Sequence, residues 1–110
     1  MNIQELTSKS EEAAGLLAML ANPFRLRIMC ELHKGERSVS ALEAVIGLSQ
    51  SALSQHLAKL RGAGLVKTRR EAQTIHYSVQ DERAARLLAV LYELYCTNPT
   101  APGFKGRKTK

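Results

Sequence analysis

The sequence predicts a mainly α-helical domain with one β-hairpin between its fourth and fifth helices. Apolar residues recur at helical spacing in five stretches between Ser8 and Cys96, and the period changes to two within LVKTRREAQTIHYSV (65–79). Two of the helices are short and are separated by a glycine-containing turn, which is typical of a helix-turn-helix. The order helix-helix-helix-helix-strand-strand-helix therefore predicts a winged helix-turn-helix, with the hairpin as its wing.

Capping residues mark where the predicted helices begin and end. Asn22 and Pro23 begin the second helix, PFRLRIMCELHK, and Gly35 ends it. This helix is apolar on most sides, so we expect it to be central. The remaining boundaries follow from the same residue types: Ser38 or Ser40 caps the third helix, Gly47 breaks it, Ser49 caps the fourth, Gly62 and Gly64 lie at its end, and Asp81 caps the last.

The first helix and the hairpin are predicted from their apolar patterns. In SKSEEAAGLLAMLA we expect the apolar side chains of the first helix to be buried, namely Leu16, Leu17, Met19 and Leu20. In the hairpin Ile75, Tyr77 and Val79 alternate with polar residues, and the two strands are joined through Arg70-Glu71-Ala72-Gln73. Arginine side chains are therefore expected at the tip of the wing.

Basic residues are concentrated in one block of the chain that contains no acid. The net charge is +6, but residues 1–43 carry −1 and residues 71–104 carry −2. Residues 44–70 carry +5, and they include the fourth helix and the first strand of the hairpin. A local basic block is what a protein presents to the phosphate backbone of a nucleic acid.

The fourth helix, within GLSQSALSQHLAKL (47–60), has one apolar side and one uncharged polar side. Leu53, Leu57 and Leu60 share a buried stripe, and Ser and Gln residues fill the opposite arc. Glu and Lys are better helix formers than Ser, so this face suits hydrogen bonding to a ligand better than simple solvation. In a DNA major groove, Gln pairs with adenine and Ser contacts donors or acceptors.

The sequence therefore predicts a DNA-binding surface on the fourth helix and the wing. The Gln and Ser side chains of the helix are expected to read bases, and the basic side chains to bind the phosphate backbone or the minor groove. A solvated, Ser-rich helix face is the alternative. The predicted DNA-binding residues are Gln50, Ser51, Ser54, Gln55, His56, Lys59, Arg61, Lys67, Arg69, Arg70 and Gln73.

Two segments resemble the ArsR/SmtB family of winged-helix repressors. LANPFRLRIMCEL is similar to that family's second helix, and LSQSALSQHLAKLRGAGLVKTRREAQTIHYSV to its recognition helix and wing. The resemblance covers roughly residues 13–96 and implies a homodimer that binds an inverted-repeat operator on double-stranded DNA until an inducer is sensed. We expect residues 1–96 to form the DNA-binding and dimerisation domain and residues 97–110 to form a flexible basic tail.

Neither metal site that is familiar in that family has a counterpart in the sequence. Ser38 and Ser40 stand where the family's Cys-x-Cys box would lie, and serine is a poor ligand for soft metals. The last helix, DERAARLLAVLYELYC, contains Asp81 but no histidine for a zinc or nickel site. We therefore expect no metal and no other cofactor.

The two cysteines are placed as in the family's sulfide- and persulfide-responsive subgroup, the BigR, SqrR and HlyU type. Cys30 lies in the second helix and Cys96 ends the last one. The resemblance implies that the pair senses reactive sulfur species by forming a disulfide or polysulfide bridge, which lowers operator affinity. Arg27 and Lys34 are expected to favour a Cys30 thiolate, and a helix C-terminus disfavours one at Cys96, so we expect Cys30 to attack first. Two buried structural thiols are the alternative.

Other functions stay open from the sequence alone. The protein could be a repressor or anti-repressor that senses peroxide, or a metal at an unfamiliar site, or a winged helix that serves only protein interaction. No nucleophile–base pair, glycine-rich phosphate loop, paired carboxylates or Cys-x-x-Cys motif is present, so we expect no enzyme. Without a secretory signal or a run of about 18 apolar residues, the expected location is the cytoplasm.

Overall fold

The structure is a computed structural model that describes residues 1–96. The predicted flexible basic tail, residues 97–110, lies outside the described residues. The predicted mainly helical winged helix-turn-helix is confirmed. In the described part of the chain the elements are α1 (Ile3–Ser8), α2 (Ser10–Leu20), α3 (Pro23–Lys34), β1 (Arg37–Ser38), α4 (Val39–Ile46), α5 (Gln50–Gly62), β2 (Val66–Glu71), β3 (Thr74–Val79) and α6 (Glu82–Cys96).

The predicted helix caps are confirmed by their hydrogen bonds. Asn22 Oδ1 accepts from the backbone N–H groups of residues 24 and 25 at 2.9 and 3.0 Å, which begins α3. Ser38, rather than Ser40, caps α4, since its Oγ accepts from a backbone N–H at 3.2 Å. Ser49 caps α5 in the same way at 3.2 Å, and Asp81 Oδ1 accepts from the first N–H groups of α6.

The wing is part of a three-stranded sheet with the order β1-β3-β2. Strand β1 pairs with β3 through Arg37–Tyr77 and Ser38–His76, and it is only two residues long, too short to show a sequence period. Strands β2 and β3 pair as far as Glu71–Thr74, so the predicted four-residue connection is shorter, consisting of residues 72 and 73. Ala72 takes the left-handed conformation there, with φ 57°, as two-residue hairpin turns require.

Helix α3 lies at the centre of the domain, as predicted. Its Ile28 and Met29 side chains are completely buried, and the helix contacts α2, α4, α5, α6 and β3. The core around it is built from leucines of α4 and α5 and from the first residues of the wing. Burial of apolar surface on one helix therefore positions α5, α6 and β3, and strand β2 is held through its pairing with β3.

Helices α1, α2 and α6 carry exposed apolar side chains, a set that we call the apolar face. Leu17 is 55% exposed, so its predicted burial is wrong within one chain, whereas Leu20 is buried and Leu16 and Met19 are half-buried. The short helix α1, which the sequence pattern did not reveal, belongs to the same face. The other exposed apolar residues on these three helices are Ile3, Leu6, Val90, Tyr92, Leu94 and Tyr95.

Among residues 1–96, no helix combines the length and the apolar composition that a membrane span requires.

Two backbone positions should respond in opposite directions to substitution. Gly47 has φ 83° and an added Cβ would meet nothing within 4 Å, so Gly47→Ala should lower the free energy of unfolding by about 1 kcal/mol through backbone strain alone. Ala72→Gly should raise it by a smaller amount, because Gly adopts φ 57° without a Cβ clash. Urea unfolding at one fixed protein concentration measures both changes. A stabilising Gly47→Ala would contradict the assignment.

Candidate nucleic-acid interface and cysteine pair

Helix α5 separates an apolar face from an exposed polar face. Leu53, Leu57 and Leu60 are buried against the core, at 0, 2 and 0% exposure. The opposite arc is exposed along the first two turns of the helix and consists of Gln50, Ser51, Ser54 and Gln55. The buried stripe therefore sets the rotation of α5 so that its amide and hydroxyl groups face solvent.

A groove of about 420 Å³ joins the start of α5 to the tip of the wing. Gln50 and Ser54 line it from the helix, and Gln73 and Thr74 line it from the hairpin. The structure thus brings together predicted residues that are separated by about 20 positions in sequence. Four of the predicted basic residues are exposed on α5 and the wing: Lys59, Arg61, Lys67 and Arg70.

Arg69 differs from these four because its guanidinium is bonded to acids. Its Nε and Nη2 donate to the two carboxylate oxygens of Glu36 at 3.0 and 2.8 Å, and its Nη1 donates to Glu71 Oε1 at 3.4 Å. The hydrogen bond and charge of Arg69 lower the pKa of the Glu36 carboxyl, and Glu36 in turn raises the pKa of Arg69. Both groups remain charged across the physiological range.

His56 points towards α3 rather than along the exposed face of α5. Its ring stacks on Phe24 with centroids 6.1 Å apart and planes inclined by 26°. Its Nδ1 is buried with no hydrogen-bond partner among the described residues. Burial, and then the charges of Arg25 and Lys59, lower the pKa of His56 below its ordinary value. A phosphate contact by His56 stays a prediction, and only Nε2 is left to make it.

Cys30 and Cys96 are 66 positions apart in sequence, yet they occupy neighbouring helices, since α3 packs against α6. Both are exposed and free in the described chain, so the alternative of buried structural thiols does not match their positions. A negative charge on Cys96 contributes to the pKa of Cys30, which places the two thiols within electrostatic reach.

Of the two bases expected to favour a Cys30 thiolate, Lys34 does lower the pKa of Cys30, but the net shift is upward. Burial and the carboxylate of Glu31 raise the pKa of Cys30, Cys96 raises it further, and Lys34 lowers it less than these together. Lys34 donates to Glu31 at 3.0 Å, and the Arg27 guanidinium lies 5.3 Å from the Phe24 ring centroid. Both bases therefore have other partners, and the reduced Cys30 thiol is protonated at neutral pH.

An apolar groove of about 440 Å³ lies beside Cys30. Leu88, Ala89 and Tyr92 of α6 form its floor and side, and His33 and Lys34 border it. A reagent that approaches Cys30 through this groove therefore passes apolar side chains of α6.

Residues 1–96 contain no group of three or more His, Cys, Asp or Glu side chains arranged to hold a metal ion. Ser38 and Ser40 lie with their hydroxyl oxygens 3.3 Å apart at the start of α4, where Ser38 serves as the helix cap. The Ser38 hydroxyl therefore caps α4, and the Ser40 hydroxyl lies within hydrogen-bond distance of it.

Residues 22–68, from the cap of α3 into β2, match the family model described as bacterial regulatory protein, arsR family. A full-length comparison decides the assignment: over 96 residues the chain is 48% identical to the transcriptional activator HlyU of Vibrio cholerae, covering 87% of this chain and 89% of that protein. The chain belongs to the arsR family of bacterial regulatory proteins.

Further relatives agree with this assignment in sequence and in structure. The biofilm growth-associated repressor of Xylella fastidiosa is 41% identical over 97 residues, covering 88% of this chain and 85% of that protein. The crystal structure of the transcriptional repressor BigR from Xylella fastidiosa superposes with a TM-score of 0.84 at 41% identity, covering 87% of this chain and 98% of that one. This arsR-family chain is a transcriptional regulator and not an enzyme.

Sequence reasoning missed two residues of the site in this arsR-family protein. Glu36 is the partner of Arg69, and its only sequence signal is its position next to Arg37 in a short connection. Phe24 supports both His56 and Arg27, and in the sequence it reads as an ordinary apolar residue of α3. Contacts between positions far apart in sequence, Glu36 with Arg69 and Phe24 with His56, decide these roles.

The low pKa of His56 predicts a pH dependence of stability. The folded chain binds a proton at His56 less readily than the unfolded chain does. The stability that depends on a neutral His56 is therefore fully present above about pH 6.5 and is lost as the pH falls towards the lower folded pKa. His56→Phe keeps an aromatic ring against Phe24 and removes the titration. The free energy of unfolding should therefore decrease less between about pH 7.5 and about pH 5.5 in the variant than in the wild type. Equal falls would contradict the assignment.

Proposed function

We propose that this protein is a homodimeric, DNA-binding transcriptional repressor whose Cys30/Cys96 dithiol senses reactive sulfur species. Bridging of the two thiols lowers its affinity for an inverted-repeat operator. The observation that carries the sensing proposal is the proximity of two exposed, free cysteines on α3 and α6. Reductants of the cytoplasm would return the pair to the thiol state.

The DNA-binding part of the proposal rests on α5 and the wing. Gln50 and Gln55 offer paired amide contacts to adenine, and Ser51 and Ser54 contact donors or acceptors on base edges. Lys59, Arg61, Lys67 and Arg70 supply phosphate contacts, and Gln73 reaches the backbone from the tip of the wing. Support comes from the exposure of these side chains and from the groove that α5 and the wing share.

A two-fold dimer would use each of these contacts twice. The apolar face of α1, α2 and α6 supports dimerisation, because nine large apolar side chains of the described residues are exposed and all but two of them, Met1 and Val45, lie on those helices. Two-fold pairing of this face with that of a second copy would give the symmetry that an inverted repeat requires.

The proposed chemistry uses the sulfane sulfur as its oxidant. One thiol takes the outer sulfur of an organic persulfide to give a cysteine persulfide and the free thiol of the donor. The other cysteine thiol then attacks the inner sulfur of that persulfide, releasing hydrogen sulfide and leaving a disulfide. If a second sulfur is added before this attack, attack on the middle sulfur leaves a trisulfide and again releases one hydrogen sulfide. Each bridge forms by loss of two hydrogens from the dithiol, and the donor's sulfur is reduced.

Bridge formation would act on DNA binding through α3. This helix carries Cys30 and contacts both helices of the helix-turn-helix and strand β3 of the wing. Holding α3 and α6 in a new relative position therefore shifts the elements that face DNA. A coupling of about 1–3 kcal/mol is enough to release an operator.

Two substitutions should separate base reading from phosphate binding. Gln55→Ala should lower the preference for the selected inverted repeat over a scrambled duplex by about 10-fold or more, because a base contact is lost in each protomer. Arg70→Gln should weaken binding to both duplexes alike and reduce the slope of log affinity against log salt by about 1 per protomer. Fluorescence anisotropy with the inverted repeat recovered from a random DNA pool measures both.

If the wild type binds the selected and scrambled duplexes equally at all salt concentrations, the protein does not read sequence. A protein-interaction role would then replace the proposed operator binding.

The cysteine proposal predicts a sulfur-dependent link. Treatment of the reduced protein with glutathione persulfide should give a Cys30–Cys96 linked peptide, with or without extra sulfur atoms, and should release the operator. Cys30→Ser and Cys96→Ser should each bind DNA as the reduced wild type does and should not be released. Peptide mass spectrometry and anisotropy on the same samples measure link and release together.

Hydrogen peroxide treatment is the matched comparison. A plain disulfide and full release with peroxide would replace the sulfur sensor by a general oxidant sensor. Full release of Cys30→Ser by persulfide would exclude the pair as the sensor.

A further inference from the structure

Two adjacent arginines of the wing have different surroundings. Arg70 makes no ion pair among residues 1–96, whereas Arg69 is bonded through Nε and Nη2 to both carboxylate oxygens of Glu36. The Glu71 carboxylate contacts the remaining guanidinium nitrogen at 3.4 Å and lies 3.6 Å from His76 Nε2. Arg69 is therefore the centre of a charged cluster on the protein.

The Glu36 carboxylate joins the wing to the end of α3. Helix α3 ends at Lys34, and Gly35 leads directly to Glu36 and then to strand β1. Strand β1 pairs with β3, while Arg69 lies on the opposite outer strand, β2. The ion pair thus reaches across the sheet, so that the end of α3 holds both strands of the hairpin.

This geometry opposes a direct phosphate contact by Arg69. Two of its donor groups are aligned with a carboxylate in the fork-to-fork arrangement that arginine also uses for phosphates. A phosphate would have to displace Glu36, and the negative charge of Glu36 already balances that of Arg69. An arginine in this state releases no additional counterion when the protein binds DNA.

We infer that Arg69 is a wing-positioning residue, and that its pair with Glu36 fixes the wing relative to the end of α3. The wing's phosphate contact is then made by Arg70 and not by Arg69. This inference rests on the proposed function only for its DNA readout. Glu36 lies two positions after the end of α3 and six positions after Cys30, so the ion pair gives α3 a direct mechanical connection to the hairpin.

Solvent exposure limits the energy of such a pair, so its effect should be on geometry more than on stability. The Arg69 side chain is 52% exposed and that of Glu36 is 35% exposed. Exposed pairs typically contribute little to folding, and a bidentate geometry within a network contributes at the upper end of that range. We expect loss of the pair to weaken operator binding by about 3- to 10-fold.

The test compares Glu36→Gln, Arg69→Gln and the exchanged pair Glu36→Arg/Arg69→Glu. Glu31→Gln is the matched control, because it removes one negative charge from α3 whose ion pair is with Lys34 of the same helix. Affinity for the selected inverted repeat is measured on the reduced, full-length protein over a series of salt concentrations. Hydrogen exchange of the β2 and β3 amides measures how firmly the wing is held in the absence of DNA. Thermal melting confirms that each variant is folded.

Positioning predicts that Glu36→Gln and Arg69→Gln weaken binding to the same extent, with the salt slope of the wild type. It also predicts faster exchange in β2 and β3 for both variants, and recovery of most of the affinity in the exchanged pair. Glu31→Gln should match the wild type in exchange and in salt slope.

A direct phosphate contact predicts the opposite pattern and would overturn the inference. Glu36→Gln would then strengthen binding by freeing the arginine, Arg69→Gln would reduce the salt slope, and the exchanged pair would bind worst. Unchanged affinity together with unchanged exchange in all variants would also overturn it. If the wild type binds no DNA but Glu36→Gln still speeds exchange in the wing, the proposed function fails and the positioning role stands.

Discussion

Helix α3 packs against α2, α4, α5, α6 and β3, and the positions of all the functional side chains depend on this contact. Ile28 and Met29 lie inside the domain with no exposed surface, while Cys30, the next residue, reaches the surface beside α6. One helix therefore holds α5, contacts β3 of the wing and carries one of the two thiols. Close packing does not allow α3 to move without moving its neighbours, and the proposed mechanism depends on this coupling.

Local signals were sufficient to predict most of the fold. Side-chain caps at Asn22, Ser49 and Asp81 act within three residues, so the sequence contains all the information that they use. The missed helix α1 has such a signal, since Asn2 Oδ1 accepts from the backbone N–H groups of residues 4 and 5. Strand β1 is only two residues long, and Leu17 has the spacing of a core residue although the described residues leave it 55% exposed. Helical periodicity identifies an apolar face and cannot distinguish the domain core from an interface.

The residue types of the candidate site were predicted, but their ion pairs and pKa shifts depend on contacts that the sequence does not reveal. Arg69 and Arg70 are indistinguishable in sequence, and only Glu36, 33 positions earlier in the chain than Arg69, makes one of these two exposed arginines part of an ion pair. The same limit applies to Cys30. Arg27 and Lys34 have the right helical spacing to favour a thiolate, yet Arg27 lies against Phe24, and the effect of Lys34 is outweighed by burial and by Glu31. Spacing shows which groups can meet, and competing partners decide which do.

The high pKa of Cys30 is compatible with a sensor because thiolate abundance and thiolate reactivity vary in opposite directions. A rise of one pKa unit lowers the thiolate fraction tenfold at neutral pH, but a more basic thiolate is more nucleophilic, so the rate falls by only about three- to four-fold. The protonated thiol is neutral, as a disulfide or trisulfide bridge would be. Neither state places a charge beside the apolar groove of Leu88 and Ala89. Because the charge of the DNA-facing surface is the same in both states, any loss of affinity on bridging must come from the positions of α5 and the wing.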